Sequence, residues 1–288
     1  MGLLHLILNL AALLLWVHWR IGPPMQQTTR RRTTGAGLTQ FLLRKARSSI
    51  SLLLLLGLLA GRGWFYYAVA PDLDWQPRIS LVIFSLGNLQ DMSLPFDHNV
   101  LEKQLAFSFI SFLPWLVVFN FCILVLSVLR PDIKEAEGWN RFLRAQLGWL
   151  DWLPAILKIP IGLMAGTGLF YGAALWLQRI TILPGELDTP FELAHFAADT
   201  TAIHLWHVSW FVMGLITLYY LNSYIYFGGH NFWKTLEATG KSLLWPLNLL
   251  PLRWGKLDLA PVIGIALTYG VSILLTPEWM AWIYQRLT

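Results

Sequence analysis

The chain has 288 residues, of which 56% are hydrophobic and only 13% charged, and it carries 16 tryptophans. That composition excludes an ordinary soluble domain and points to an all-α polytopic membrane protein. The net charge of +5 does not argue for nucleic acid, because the basic residues gather between apolar segments; the single cysteine, Cys122, excludes an internal disulfide framework and a multi-thiolate metal site.

Leu3 to Trp19 form an apolar run short of the roughly 20 residues that cross a bilayer, with no basic residue before it and no small-residue cleavage site after it, within a segment over residues 1–19. A retained N-terminal anchor is expected, with a cleaved signal or an interfacial helix as alternatives. Residues 20–48 form a linker containing Arg30, Arg31, Arg32, Arg44, Lys45 and Arg47 and no acidic residue, which the positive-inside rule places in the cytoplasm. An anionic-lipid patch is the other reading of this segment.

Further apolar spans are expected at about Ser49 to Ala70, Leu105 to Leu129, Leu153 to Leu177, Ile203 to Phe227 and Leu259 to Tyr284. The connections between them alternate in charge. Ala70 to Glu102 and Gln178 to Thr201 are acidic, whereas Arg130 to Asp151 holds Arg130, Lys134, Arg141 and Arg144 in company with acidic residues, and Gly228 to Lys256 holds Lys234, Lys241, Arg253 and Lys256. An order of inner linker, outer loop, inner loop, outer loop, inner loop follows, giving about six transmembrane helices with both termini outside the cytoplasm. Tryptophans and tyrosines near the span ends, such as Trp64, Trp149, Trp152 and Trp279, suit interfacial belts.

Two stretches occur twice. Gly148-Trp149-Leu150-Asp151-Trp152-Leu153-Pro154 and Gly255-Lys256-Leu257-Asp258-Leu259-Ala260-Pro261 share Gly-x-Leu-Asp-x-x-Pro, and each precedes an apolar segment. The pattern reads as a helix start at the inner face. Gly148 and Gly255 permit a turn, Leu150 and Leu257 staple the chain, Asp151 and Asp258 cap free amides, and Pro154 and Pro261 sit in the first turn. The second duplicated stretch, Gly-Leu-x-Ala-Gly-x-Gly-x-Phe-Tyr-x-Ala, begins at Gly57 and again at Gly162, at nearly the same offset. A tandem repeat is therefore expected, with a first membrane repeat over 49–161 and a second over 162–288, related by an axis along the membrane normal. Within it, Gly57 with Gly61 and Gly162 with Gly166 form Gly-x-x-x-Gly ridges suited to close helix packing in lipid.

Candidate chemistry is sparse. Arg62 falls in the outer part of the second span, where a charge is costly; it is expected to snorkel to the interface or pair with an acidic outer loop, or else to serve a function. Lys158, near the inner end of its helix, reads as another snorkelling side chain. His204 and His207, three residues apart and close to His195 and Asp199, share a helix face. That spacing suits metal ligation or a haem axial site, but no cysteine and no His-Glu-x-x-His pattern accompanies them, and interfacial histidines bonded to loops are the plainer reading. No nucleophile elbow, phosphate-binding loop or kinase-like pattern is present, so no enzyme, cofactor or metal is expected.

Pro251 to Ile263 resembles the YggT family of small membrane proteins, in which a basic, proline-containing interfacial stretch precedes Gly-x-x-Asp-x-Ser-Pro-Ile. Ala260 stands here where that serine is usual, and Leu153 does so in the first copy; Arg144 and Arg253 precede the two copies alike. The resemblance implies a helical-hairpin membrane module present twice, without established enzymatic activity, whose plant and cyanobacterial relatives are linked to assembly of membrane complexes. The expected function is a non-enzymatic scaffold or assembly protein of the cell inner (plasma) membrane, with the lipid bilayer and other membrane proteins as partners. A solute or ion pathway between the repeats and a haem- or quinone-binding subunit are the alternatives.

Overall fold

The computed structural model describes residues 2–21, 36–69, 78–80, 93–97, 99–131, 133–183, 189–225, 227–254 and 257–276. The described chain is helical apart from two short antiparallel ladders. Its elements are α1 (Gly2–Ile21), α2 (Ala36–Val69), β1 (Arg78–Ser80), β2 (Ser93–Pro95), α3 (Leu101–Val128), α4 (Glu137–Leu147), α5 (Ala155–Arg179), α6 (Pro190–Tyr224), α7 (Asn231–Leu243), α8 (Trp245–Asn248), β3 (Arg253–Trp254), β4 (Leu257–Asp258) and α9 (Ala260–Leu274). β1 pairs with β2 through Ile79 opposite Leu94, and β3 pairs with β4 through Trp254 opposite Leu257.

Among the described residues, five helices are long and apolar enough to cross a membrane: Leu3–Ile21, Ser49–Val69, Leu101–Val128, Ala155–Arg179 and Pro190–Tyr224. The protein is thus an all-α polytopic membrane protein. The segment expected as a sixth span appears as the 15-residue apolar helix α9, and the rest of that expected span, residues 277–284, lies outside the described residues. α6 starts 13 residues earlier than the expected span, at Pro190. A capping box explains this: Glu192 N donates to Thr189 Oγ1 at 3.2 Å and Thr189 N donates to Glu192 Oε2 at 3.0 Å, while Pro190 occupies a first-turn position where no amide is needed.

The chain divides into two compact units, 1–116 with 176–185, and 117–175 with 186–288, which do not coincide with the sequence segments 49–161 and 162–288. In the first unit α1 packs on α2, and Ala12, Leu55, Leu59 and Phe112 form the core, with Trp16, Leu58, Phe109 and Trp115 around them. In the second, Ile123, Leu124 and Leu126 of α3 pack with Leu143 and Leu147 of α4, while Ile216 and Tyr219 of α6 meet Leu244.

α4 and α7 are short amphipathic helices. α4 buries Leu143 and Leu147 and turns Arg141 and Arg144 outward; α7 buries Leu236, Thr239 and Gly240 and leaves Lys241 exposed. Gly240 is needed for contact, since an added Cβ would stand 2.6 Å from Tyr219 Cδ2.

Candidate functional site

The two copies of Gly-x-Leu-Asp-x-x-Pro adopt different structures. In the second copy, Asp258 Oδ1 accepts a hydrogen bond from Ala260 N at 3.0 Å, and Pro261 sits in the first turn of α9. The N-cap of α9 is Leu259, not the expected Asp258, so the Ala260 amide is held from the residue before the cap. Gly255 and Lys256 lie outside the described residues, and of Leu257 only the backbone is described.

In the first copy Gly148 takes a positive-φ turn, with φ 58°, and ends α4 instead of opening α5; Leu150 packs against the α3–α4 core. A short 3₁₀ turn over Gly148–Trp152 follows. α5 then starts from the Pro154 carbonyl, which accepts from Leu157 N at 2.9 Å and Lys158 N at 3.2 Å. The cap expected of Asp151 is corrected here, because cations hold its carboxylate. Arg130 Nη2 donates to Oδ1, Lys158 Nζ stands 3.5 Å from the same oxygen, and Arg144 Nε lies 3.9 Å from Oδ2. Ser127 joins them, its hydroxyl accepting from Lys158 Nζ at 2.7 Å and donating to Asp151 Oδ1 at 3.3 Å. Burial pushes the Asp151 carboxyl up, but the hydrogen bond and charge of Arg130, with those of Lys158, outweigh it and hold the group below its ordinary range.

Lys158 is also corrected: it is buried, and its ammonium ends on Ser127 and Asp151 rather than in open water as a snorkelling side chain would. A desolvated ammonium needs a carboxylate, and Asp151 lies within reach.

Arg62 departs from expectation in a similar way. Only 3% exposed, it neither snorkels nor meets an acid among the described residues. Its guanidinium donates to Ser108 Oγ from Nε at 2.8 Å, to Asn9 Oδ1 from Nη1 at 2.7 Å, and to Ser111 Oγ at 2.8 Å and the Ser108 carbonyl from Nη2. One arginine thus joins α1, α2 and α3 within the first unit. The charge is spread over neutral acceptors, and the planar fork reaches several at once. Asn9, Ser108 and Ser111 went unremarked in the sequence, although isolated polar residues in apolar spans were the available signal.

The glycine ridges also differ between copies. In α5, Gly162 and Gly166 face inward, where added Cβ atoms would stand 2.6 Å from Leu124 Cδ1 and 3.1 Å from Phe121 Cζ. In α2, Gly57 and Gly61 meet nothing within 4 Å among the described residues. They lie on an exposed stripe with Leu54, Ala60 and Trp64, while Leu55, Leu59, Arg62 and Tyr66 are buried on the other side of the helix. The close approach in α2 falls instead on Gly63, whose added Cβ would stand 3.0 Å from Leu105 Cα.

His204 and His207 are both buried in α6, with ring centroids 5.9 Å apart. The loop bonding expected of them is corrected, because each ring turns back on its own helix. His204 Nδ1 meets the Thr200 carbonyl at 2.5 Å and His207 Nδ1 the Ile203 carbonyl at 3.1 Å. A carbonyl only accepts, so both Nδ1 atoms carry the proton. His204 stacks on Phe170 at 4.7 Å, and its Nε2 is buried without a hydrogen-bond partner among the described residues. His195 pairs with Asp199 at 3.2 Å nearer the start of α6. Among the described residues no group of three or more histidine, cysteine, aspartate or glutamate side chains is placed to hold a metal ion.

No protein-family model, no curated protein and no solved structure matches the chain.

Proposed function

We propose that this protein is a non-enzymatic scaffold or assembly protein of the cell inner (plasma) membrane, which binds other membrane-protein chains through the exposed glycine face of α2. The open Gly57 and Gly61 ridge carries this reading. In lipid, apolar burial drives little helix association, and small residues serve to bring backbones together. The same four-residue spacing is filled by Phe121, Leu124 and Thr201 at Gly162 and Gly166 and, among the described residues, left open at Gly57 and Gly61. A partner helix with a small-residue face of its own suits the open ridge. The resemblance of Pro251 to Ile263 to the YggT family, with its links to complex assembly, points the same way.

The test is purification in mild detergent followed by mass spectrometry of co-purifying chains, for the native protein and for a Gly57→Leu/Gly61→Leu variant. The native protein carries stoichiometric membrane-protein partners and the variant loses them at unchanged thermal stability. Isolation of the native protein as a lone chain defeats the proposal.

One observation favours a second reading, a haem- or quinone-binding subunit. The buried His204 Nε2, without a hydrogen-bond partner among the described residues, is the atom such a group would engage as iron ligand or as acceptor of a quinol hydroxyl. A purified protein without a Soret band excludes the haem form. With Arg62 enclosed by Asn9, Ser108 and Ser111, no observation favours a solute pathway over these two readings.

A further inference from the structure

We infer that the Asp151 cluster is a binding site for the phosphodiester headgroup of an anionic membrane phospholipid, held chiefly by Arg130 and Arg144. The site lies on the connection between two spans, Leu101–Val128 and Ala155–Arg179, and therefore at a bilayer surface. Among its described residues three cations, Arg130, Arg144 and Lys158, face one carboxylate. Among the described residues the neighbouring acids do not offset that surplus; Asp132, in the same connection, lies outside them. Glu135 pairs with Lys234 at 3.2 Å, and Glu137 lies 3.9 Å from Arg141.

The donors left over are suitably placed. Lys158 is spent on Ser127 and Asp151. Arg130 uses one terminal nitrogen on Asp151 and has a buried Nε, but its side chain keeps 22% exposure through which a headgroup can meet it. Arg144 touches the cluster only through Nε at 3.9 Å, and its side chain is 63% exposed, so the rest of its fork is available outside. Arg130 and Arg144 approach different oxygens of one carboxylate, so the two guanidinium groups lie near each other where a phosphate could meet both.

The surroundings suit a lipid rather than a soluble anion. Trp152, adjacent to Asp151, is 91% exposed, and Trp149 and Ile156 project from the same short segment. Exposed tryptophans of this kind sit at the headgroup level, with acyl chains against their apolar faces. The cations therefore open at the depth where lipid phosphates lie.

The test is native mass spectrometry of the full chain in detergent with added phosphatidylglycerol, phosphatidylcholine or glycerol 1-phosphate. The site predicts preferential retention of phosphatidylglycerol, weakened about fivefold by Arg144→Gln, an exposed residue whose loss leaves the fold intact. Asp151→Asn removes the opposing carboxylate, so it raises the ratio of phosphatidylglycerol to phosphatidylcholine retained, measured below the variant's own unfolding temperature. A purely structural ion network gives no such gain. Equal retention of the two lipids, no effect of Arg144→Gln, or a lowered ratio in Asp151→Asn overturns the proposal. Binding of glycerol 1-phosphate as tight as that of the lipid overturns the assignment to a membrane lipid.

Discussion

Asp151 and Lys158 face each other across the start of α5, Nζ 3.5 Å from Oδ1, in surroundings where both side chains are at most 10% exposed. An ammonium and a carboxylate so far out of water hold each other in place, and removing one strands the other.

The first prediction concerns the paired motifs. Asp258→Ala removes one hydrogen bond at the start of α9 and costs about 1 kcal/mol of stability. Asp151→Ala leaves Lys158 and Arg130 buried without their carboxylate and costs more, about 3 kcal/mol. Thermal unfolding of the two variants in one detergent checks the order; equal losses refute the structural difference between the copies.

Acid should act through the same carboxylate. A carboxyl held below its ordinary pKa stabilises the fold above the pKa of the unfolded chain, and that contribution disappears as pH falls through the lower folded value. Melting temperature therefore drops as pH is lowered below about 4, and part of that drop is absent in Asp151→Asn. A pH series of both proteins checks it.

Arg62→Lys keeps the charge and loses the fork. A lysine cannot span Asn9, Ser108 and Ser111 together, and losing one or two hydrogen bonds from a charged donor costs about 2–4 kcal/mol. The expected result is a clear loss of stability despite conserved charge; an unchanged melting temperature would contradict the clamp between α1, α2 and α3.

Alanine at the glycines separates packed from open positions. Gly63→Ala and Gly240→Ala force backbone or ring atoms apart and destabilise the protein, while Gly57→Ala and Gly61→Ala meet no described atom within 4 Å and leave stability unchanged or slightly raised. Melting temperatures of the four variants test this contrast.

Much of the fold was legible in the sequence because a bilayer demands long apolar helices, and five of them stand near their expected positions. The early start of α6 was also written there, in Thr189-x-x-Glu192 with Pro190, but an apolar count begins only where the polar first turns end. The candidate site was less legible. Gly-x-Leu-Asp-x-x-Pro is identical in its two copies, and what separates them is tertiary. Asp151 has Arg130 and Ser127 at the end of α3 and Lys158 one turn into α5, whereas Asp258 accepts the amide of Ala260. The glycine ridges follow the same rule, since spacing shows that Gly57 and Gly61 share a face but not which way that face turns. Arg62 drew attention as a charge in a span, yet its partners Asn9 and Ser108 lie 53 and 46 residues away.

The most direct measurement places a photoreactive diazirine residue in place of Ala60, between the two open glycines, and illuminates intact cells. The account predicts a discrete adduct with another membrane-protein chain, abolished by Gly57→Leu/Gly61→Leu. Adducts with lipid alone, or a protein adduct that survives those substitutions, would contradict it.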